Sequence, residues 1–162
     1  MKTCLFSFLL CVTSLGTLST AAPASAPLNS AEAKNIEALV TKAAVEINSK
    51  GSAAFTEFRQ KGSAWFHDDT YLFVYDLNGV VLFNAALPQN EGRKNAGSAR
   101  SPTNPQTFTD AFIETVKMNG SGWVDYMFAK PGQTEPVQKW SYVKGVMIDG
   151  VPGLVGAGFY PR

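Results

Sequence analysis

The sequence predicts a single α+β domain in which helices pack on a five-stranded antiparallel sheet. Two observations predict this class. The elements occur in the order helix, two strands, helix, three strands, and the strands are joined mainly as antiparallel hairpins. The 162 residues suffice for one hydrophobic core, and the chain contains neither an internal repeat nor a linker that would divide it into domains.

The N-terminal segment has the composition of a secretory signal peptide. Lys2 supplies positive charge, Leu5–Leu18 is an apolar run with only small polar residues, and alanines follow it. The apolar run is too short and wrongly flanked for a membrane span. We expect cleavage after Ala24, which removes residues 1–24, with other sites within residues 21–26 left open.

The mature domain, residues 29–162, is expected to be neutral and free of thiols. Both cysteines, Cys4 and Cys11, lie in the signal segment, so we expect neither a disulfide nor thiol chemistry. The chain has 14 basic and 13 acidic residues, and loss of Lys2 leaves 13 of each. This balance argues against nucleic acid or an anionic membrane as the main partner. A second apolar span is absent from the sequence, so we expect no membrane anchor.

The first elements are two helices. Residues 29–50 form the longer one, with Asn29 as N-cap and Glu32 completing a capping-box pattern. Its apolar stripe at helical spacing consists of Ile36, Val40, Ala43 and Ile47. A shorter helix is predicted over residues 53–60, with Gly62 at its C-terminal stop.

A hairpin and a loop come next. Residues 71–75 are rich in aromatic and β-branched side chains and predict a strand. Residues 76–79, with the sequence Asp-Leu-Asn-Gly, predict a tight turn because Asn-Gly tolerates positive φ at both central positions. Residues 80–83 form the returning strand, and residues 88–103 have loop composition.

The remaining elements are one helix and three strands. Asn104 and Pro105 predict the start of the helix, and Gly120 its end. The three strands are predicted at about 122–128, 139–148 and 153–160.

Few residues suggest metal binding or catalysis. His67, Asp68 and Asp69 lack the second histidine or cysteine that zinc usually needs, so a solvated turn is favoured there. A Gly-x-Ser-x-Gly motif is absent, and one histidine gives little basis for a triad. We therefore expect no catalytic residue, no metal ligand and no cofactor.

The aromatic side chains of the sheet segments are unusually dense. They are Trp65, Phe66, Tyr71, Phe73, Tyr75, Trp123, Tyr126, Phe128, Trp140 and Tyr142. About half must be core, because side chains of a strand alternate between faces. The others could line a small apolar pocket with phenolic hydroxyls and one cation, Lys139. A solvent-exposed Lys139 is the alternative.

Four motifs occur in order along the chain. They are Tyr-x-Phe-Val-x-Asp-x-x-Gly at Tyr71–Gly79, Gly-x-Gly-Trp-Val-x-Tyr at Gly120–Tyr126, Lys-x-Ser-Tyr-Val at Lys139–Val143 and Gly-x-Gly-x-Tyr at Gly156–Tyr160. Their order and spacing resemble the single Cache domain, a family of extracytoplasmic sensor modules with a PAS-like fold. The resemblance runs from about Ala31 to Tyr160.

The resemblance implies a long N-terminal helix behind a PAS-like sheet and a ligand pocket on the other face. It implies a small organic ligand, and Lys139 would favour a carboxylate. The expected ligand-binding residues are Tyr71, Phe73, Trp123, Tyr126, Lys139 and Tyr142.

Family members often signal through a membrane helix to a sensor kinase or chemoreceptor, which are the expected partners. Because the sequence ends at Arg162, we expect a stand-alone periplasmic or secreted module. It also departs from the family at Asn84–Pro88, which matches the apolar-Pro element only loosely. An enzyme or enzyme accessory, or an interaction module with a filled pocket, are the other classes that remain open.

Overall fold

The computed structural model describes residues 29–95 and 107–161. Within these ranges the helices are α1 (Ala31–Lys50), α2 (Phe55–Phe58) and α3 (Phe108–Asn119). The strands are β1 (Phe66–His67), β2 (Thr70–Tyr71), β3 (Phe73–Asp76), β4 (Val81–Asn84), β5 (Ser121–Ala129), β6 (Pro136–Ile148) and β7 (Val151–Phe159). The predicted signal peptide, residues 1–24, lies outside the described residues.

The main sheet has five strands in the order β4-β3-β7-β6-β5, and every neighbouring pair is antiparallel. The α+β class with a five-stranded antiparallel sheet is therefore confirmed. α1 packs against β6 and β7, whereas α3 packs mainly against β5. Of the helices that the structure describes, none combines the length and apolarity needed to cross a membrane.

The predicted stripe of α1 is confirmed, but its N-cap is Ser30 and not Asn29. The Ser30 side chain accepts a hydrogen bond of 3.0 Å from the backbone N–H of Ala33. Both residue types can cap a helix. Ser30 is the N-cap because it directly precedes Ala31, the first residue of the helix. The buried residues are Ala33, Ile36, Val40, Ala43, Ala44 and Ile47.

The turn between β3 and β4 is present, but with different backbone geometry. Only Gly79 has positive φ there, at 85°. The Asp76 carboxylate accepts hydrogen bonds from the backbone N–H groups of Asn78 and Val80, at 2.9 and 2.8 Å. This pattern fits a three-residue loop with the glycine in the left-handed region, so the prediction of two positive-φ residues is wrong.

Two other differences concern short or partly described elements. The predicted start of α3 at Asn104 and Pro105 lies outside the described residues, and the described helix begins after Thr107, whose hydroxyl accepts from the backbone N–H of Asp110 at 3.2 Å. β1 and β2 form a separate hairpin that the sequence analysis missed, because two-residue strands give no alternation to detect. Asp68 and Asp69 form its turn, as predicted.

Candidate functional site

The register of β5 and β6 decides which side chains share a face of the sheet. Tyr126 lies opposite Lys139, and Trp123 lies opposite Tyr142. Because successive side chains alternate between faces, Lys139 and Tyr126 share one face, while Trp123 and Tyr142 share the other. Phe73 lies on the Lys139 face, where its ring stacks on Phe112 of α3 with centroids 5.3 Å apart.

Lys139 is buried within this face, with none of its surface exposed. Its ammonium nitrogen donates a hydrogen bond of 2.9 Å to the Tyr71 hydroxyl. The same nitrogen lies 4.1, 5.0 and 5.3 Å from the ring centroids of Tyr71, Tyr160 and Phe128. The alternative of a solvent-exposed Lys139 is therefore wrong.

Burial controls the charge of this lysine. It lowers the pKa of Lys139 from 10.5 to about 7, while the negative charge of Asp69 acts in the opposite direction. The aromatic rings attract the ammonium but supply no full negative charge. Within the described ranges, the uncharged Tyr71 hydroxyl is the single hydrogen-bond partner of the Lys139 nitrogen. The site therefore has a cation whose charge the described side chains compensate only in part.

A glycine on the neighbouring strand makes room for Lys139. A Cβ built on Gly158 of β7 would lie 3.0 Å from the Lys139 Cε and would overlap both Ser141 Oγ and the carbonyl oxygen of Trp140. Any larger residue at position 158 would have to displace the lysine stem or the backbone. The lysine thus reaches its buried position because β7 carries no side chain there.

Two hydroxyl groups lie on the same face as Lys139. The Tyr126 hydroxyl and Ser141 Oγ are 3.0 Å apart and hydrogen-bonded. Burial raises the pKa of Tyr126 well above 10, so its hydroxyl stays protonated. The Tyr126 ring stacks on Phe108 of α3, with centroids 4.6 Å apart. Tyr126 consequently contributes both to packing and to the polar lining of this face.

A cavity of about 440 Å³ adjoins this cluster. It is lined by residues 127–134 and Pro136 of the hairpin between β5 and β6, together with Tyr71 and Leu87. The rings of Tyr71 and Phe128 line the cavity and also contact the Lys139 ammonium. The lysine therefore lies close to the cavity but does not line it.

Trp123 and Tyr142 lie on the opposite face, towards α1. The Trp123 indole donates a hydrogen bond of 2.7 Å to Glu37 of α1, and the Tyr142 hydroxyl donates one of 2.9 Å to Ser121. The prediction that these two residues share a pocket with Lys139 is wrong. Trp123 is three positions from Tyr126 and Tyr142 is three positions from Lys139, so each lies on the opposite face of its strand. Ligand binding by Tyr71, Phe73, Tyr126 and Lys139 stays a prediction.

Four residues of this region are not among the ligand-binding residues expected from the sequence. Phe128 and Tyr160 contact Lys139, and Lys130 forms an ion pair of 3.0 Å with Asp69. Phe128 is recognised in the sequence as one of the dense aromatic residues, and its place two positions from Tyr126 already puts it on the same face as Tyr126. Tyr160, Lys130 and Asp69 come together only through the tertiary fold.

The described residues give no support to a metal centre. Among them, no group of three or more histidine, cysteine, aspartate or glutamate side chains could hold an ion. His67 is half-exposed, with Nδ1 3.5 Å from an Asp68 carboxylate oxygen. The absence of a metal and of a cofactor stays a prediction.

Known proteins resemble this chain in both sequence and fold. A solved periplasmic sensor domain of a chemotaxis protein is 30% identical, with a TM-score of 0.57, over 78% of this chain and 88% of that one. A Cache chemosensory domain, described for its carboxylic acid recognition, is 24% identical with a TM-score of 0.65, over 84% of this chain and 97% of that one. This second likeness shows the fold.

A curated relative is also a chemoreceptor. The methyl-accepting chemotaxis protein McpP of Pseudomonas putida is 28% identical over 94 residues, which are 58% of this chain. The match spans only 16% of the length of McpP.

The model of the Cache domain family matches residues 33–160, from α1 to the residue that follows β7. Members of this family are ligand-binding sensor domains that lie outside the cytoplasm. The match covers most of the chain, and the five-stranded sheet with α1 behind it is the fold of the solved relatives. The chain belongs to the Cache domain family.

Proposed function

We propose that this Cache domain is a sensor module that binds a small carboxylate through the buried Lys139. The proposal rests on one observation: the described side chains only partly compensate the positive charge of the Lys139 ammonium. A buried cation is unfavourable unless it is paired and hydrogen-bonded. A carboxylate placed beside it would supply the missing negative charge in a charge-assisted hydrogen bond. The hydroxyl of Tyr71, already 2.9 Å from the ammonium, could donate its proton to the same ligand.

The cavity supports a small ligand. Its volume of about 440 Å³ is near the lower end of the range of small-molecule sites, about 300–1,000 Å³. Its walls include two aromatic rings and a methionine, which suit a short alkyl chain. Since Lys139 has no exposed surface and does not line the cavity, side chains of the cavity wall must move for a carboxylate to reach the ammonium, and Tyr71 and Phe128 are wall residues whose rings contact it.

The mature domain, in this proposal, works outside the cytoplasm after loss of residues 1–24, either in the periplasm or as a secreted protein. The extracytoplasmic role of Cache domains supports this location. It would pass its ligand state to a membrane chemoreceptor or sensor kinase, without catalysing a reaction. The descriptions of its relatives as chemotaxis proteins support a chemoreceptor.

One observation favours a second candidate, an interaction module or enzyme accessory without an open pocket. Lys139 has no exposed surface, and the rings of Phe73, Phe108 and Phe112 fill much of the same face. If no side chain of the cavity wall moves, the face stays closed and no carboxylate enters. The two candidates differ in whether a free carboxylate binds the purified protein.

Calorimetric titration with propionate tests the proposal, with propionamide as the neutral ligand of matched shape. Propionate should bind, and propionamide should bind at least about tenfold more weakly, because a hydrogen bond to a charged group contributes about 1.5–3 kcal/mol. Lys139→Met keeps the length of the side chain and removes the charge. It should weaken propionate binding by about tenfold or more and abolish most of the ligand-induced rise in Tm.

The control is Lys144→Met, which changes a half-buried lysine of the same strand that points to the other face. It should leave propionate binding unchanged. Equal responses to propionate in the wild type and in Lys139→Met would refute the assignment of Lys139. Absence of binding across acetate, propionate, succinate and pyruvate would favour the closed interaction module.

A further inference from the structure

A second lysine, Lys130, lines the cavity that Lys139 adjoins. The Lys130 ammonium is 5.2 Å from the ring centroid of Tyr160. The Lys139 ammonium is 5.0 Å from the centroid of that same ring. The two cations are therefore no more than about 10 Å apart. A four-carbon diacid, with a carboxylate at each end, has a suitable length to contact both.

Lys130 already has an anionic partner in the fold. Asp69 lies in the turn of the β1–β2 hairpin, and its carboxylate is 3.0 Å from the Lys130 ammonium. Both side chains are partly exposed, at 45% for Asp69 and 33% for Lys130. The hairpin holds Asp69 in place, since His67 pairs with Thr70 across a turn in which Asp68 takes a φ of 48°. The fold thus brings one carboxylate to the second cation.

The charges at this end of the domain therefore discriminate between ligands. Lys139, Lys130 and Asp69 sum to one positive charge when both lysines are protonated. A ligand with one carboxylate brings the cluster to neutrality. A diacid would add a second negative charge, and that carboxylate would have to compete with Asp69 for Lys130. Uncompensated charge in a partly desolvated site is unfavourable.

From these contacts we propose that Asp69 is a specificity-determining residue. By pairing with Lys130 it withholds the second cation of the cavity and restricts the site to ligands with a single carboxylate. This inference rests on the proposed function, since it takes carboxylate binding at Lys139 as its starting point. It adds the ligand class that the site rejects and the residue responsible for the rejection.

The test compares the affinities of propionate and succinate by calorimetry in the full exported protein. The wild type should bind propionate at least about tenfold more tightly than succinate. Asp69→Asn frees Lys130 and should raise the ratio of succinate to propionate affinity by about tenfold, which corresponds to about 1.4 kcal/mol. Adding Lys130→Gln to Asp69→Asn should remove this gain, because the freed cation is then absent.

Asp68→Asn is the matched control. It removes the adjacent carboxylate of the same turn, which lies near His67 and is almost fully exposed. The ratio should stay at its wild-type value. If Asp69→Asn does not fold, as judged by circular dichroism, Asp69→Ser makes the same change of charge with a smaller side chain.

The outcomes separate the two proposals. An unchanged ratio in the folded Asp69 variant, or a gain that persists after Lys130→Gln, overturns the role of Asp69 while carboxylate binding stands. Propionate binding that is absent from the wild type, or undiminished in Lys139→Met, overturns the proposed function and this inference with it.

Discussion

The burial of Lys139 makes the stability of the domain depend on pH in a direction that can be worked out. The pKa of Lys139 is about 7 in the folded protein, against 10.5 for an ordinary lysine, which we take for the unfolded chain. Between these values the unfolded state binds a proton that the folded state does not. The free energy of unfolding therefore rises with pH across this window, and it is lowest below about pH 7, where the folded protein must hold a buried ammonium.

The size of the effect follows from the shift. A pKa lowered from 10.5 to about 7 corresponds to a rise of roughly 5 kcal/mol in the free energy of unfolding between a pH well below 7 and a pH well above 10.5. Only part of it falls in an accessible range. From about pH 7 to about pH 9 the folded lysine passes from half to almost no protonation, so the free energy of unfolding should rise by about 2 kcal/mol.

Urea unfolding of wild type and Lys139→Met at several pH values between about 6 and 9 measures this directly. The methionine variant removes the titrating group, so between about pH 7 and about pH 9 the free energy of unfolding of the wild type should rise by about 2 kcal/mol relative to that of the variant. Burial raises the pKa of Tyr71 and Tyr126, which destabilises the fold only above about pH 10, outside this window. Parallel pH profiles in the two proteins would refute a depressed pKa for Lys139.

Three further predictions concern other parts of the chain. Gly158→Ala should lower the free energy of unfolding by about 1–3 kcal/mol in urea titrations, because its methyl group would meet the Lys139 stem and the backbone of β6. No loss would mean that the lysine can leave its position at little cost. Trp123→Phe should cost about 1 kcal/mol through loss of the hydrogen bond to Glu37, whereas Glu37→Gln, which keeps an acceptor, should cost less. Propionate affinity unchanged in Trp123→Phe would agree with its place on the opposite face. The intact mass of the exported protein should equal that of a chain without residues 1–24. A mass that includes both cysteines would contradict the predicted signal peptide.

The parts of the fold that the sequence predicted depend on short-range patterns. The apolar stripe of α1 repeats at helical spacing and needs no tertiary information. The β3–β4 hairpin is marked by its Asp-Leu-Asn-Gly turn, although Asp76 and not a second positive-φ residue organises that turn. The cap of α1 was placed one residue early, since Asn29 and Ser30 are equally suited to the role and only the helix start distinguishes them.

The candidate site was harder to predict, because its contacts are long-range. Asp69 and Lys130 belong to two turns that are distant in sequence, and their ion pair depends on how the small β1–β2 hairpin docks on the sheet. Tyr160 follows the last strand and reaches Lys139 only after β7 has paired with β6. Local pattern reading cannot supply such pairs, whereas it could place Phe128 beside Tyr126.

The error over Trp123 and Tyr142 has a different cause, because the alternation of strands was available in the sequence. Lys139 and Tyr142 belong to one strand and are three positions apart. Lys139 therefore faces α3, and Tyr142 faces α1. The predicted binding site grouped residues that are close in sequence and overlooked that an odd separation along a strand places two side chains on opposite faces. Gly158 of the neighbouring strand lies on the same face as Lys139. It pairs with Ser141, which is two positions from Lys139, and a Cβ at position 158 would point to that face. The matching parity of Lys139 and Ser141 is therefore readable from the sequence of β6, whereas the place of Gly158 beside them depends on the register between β6 and β7.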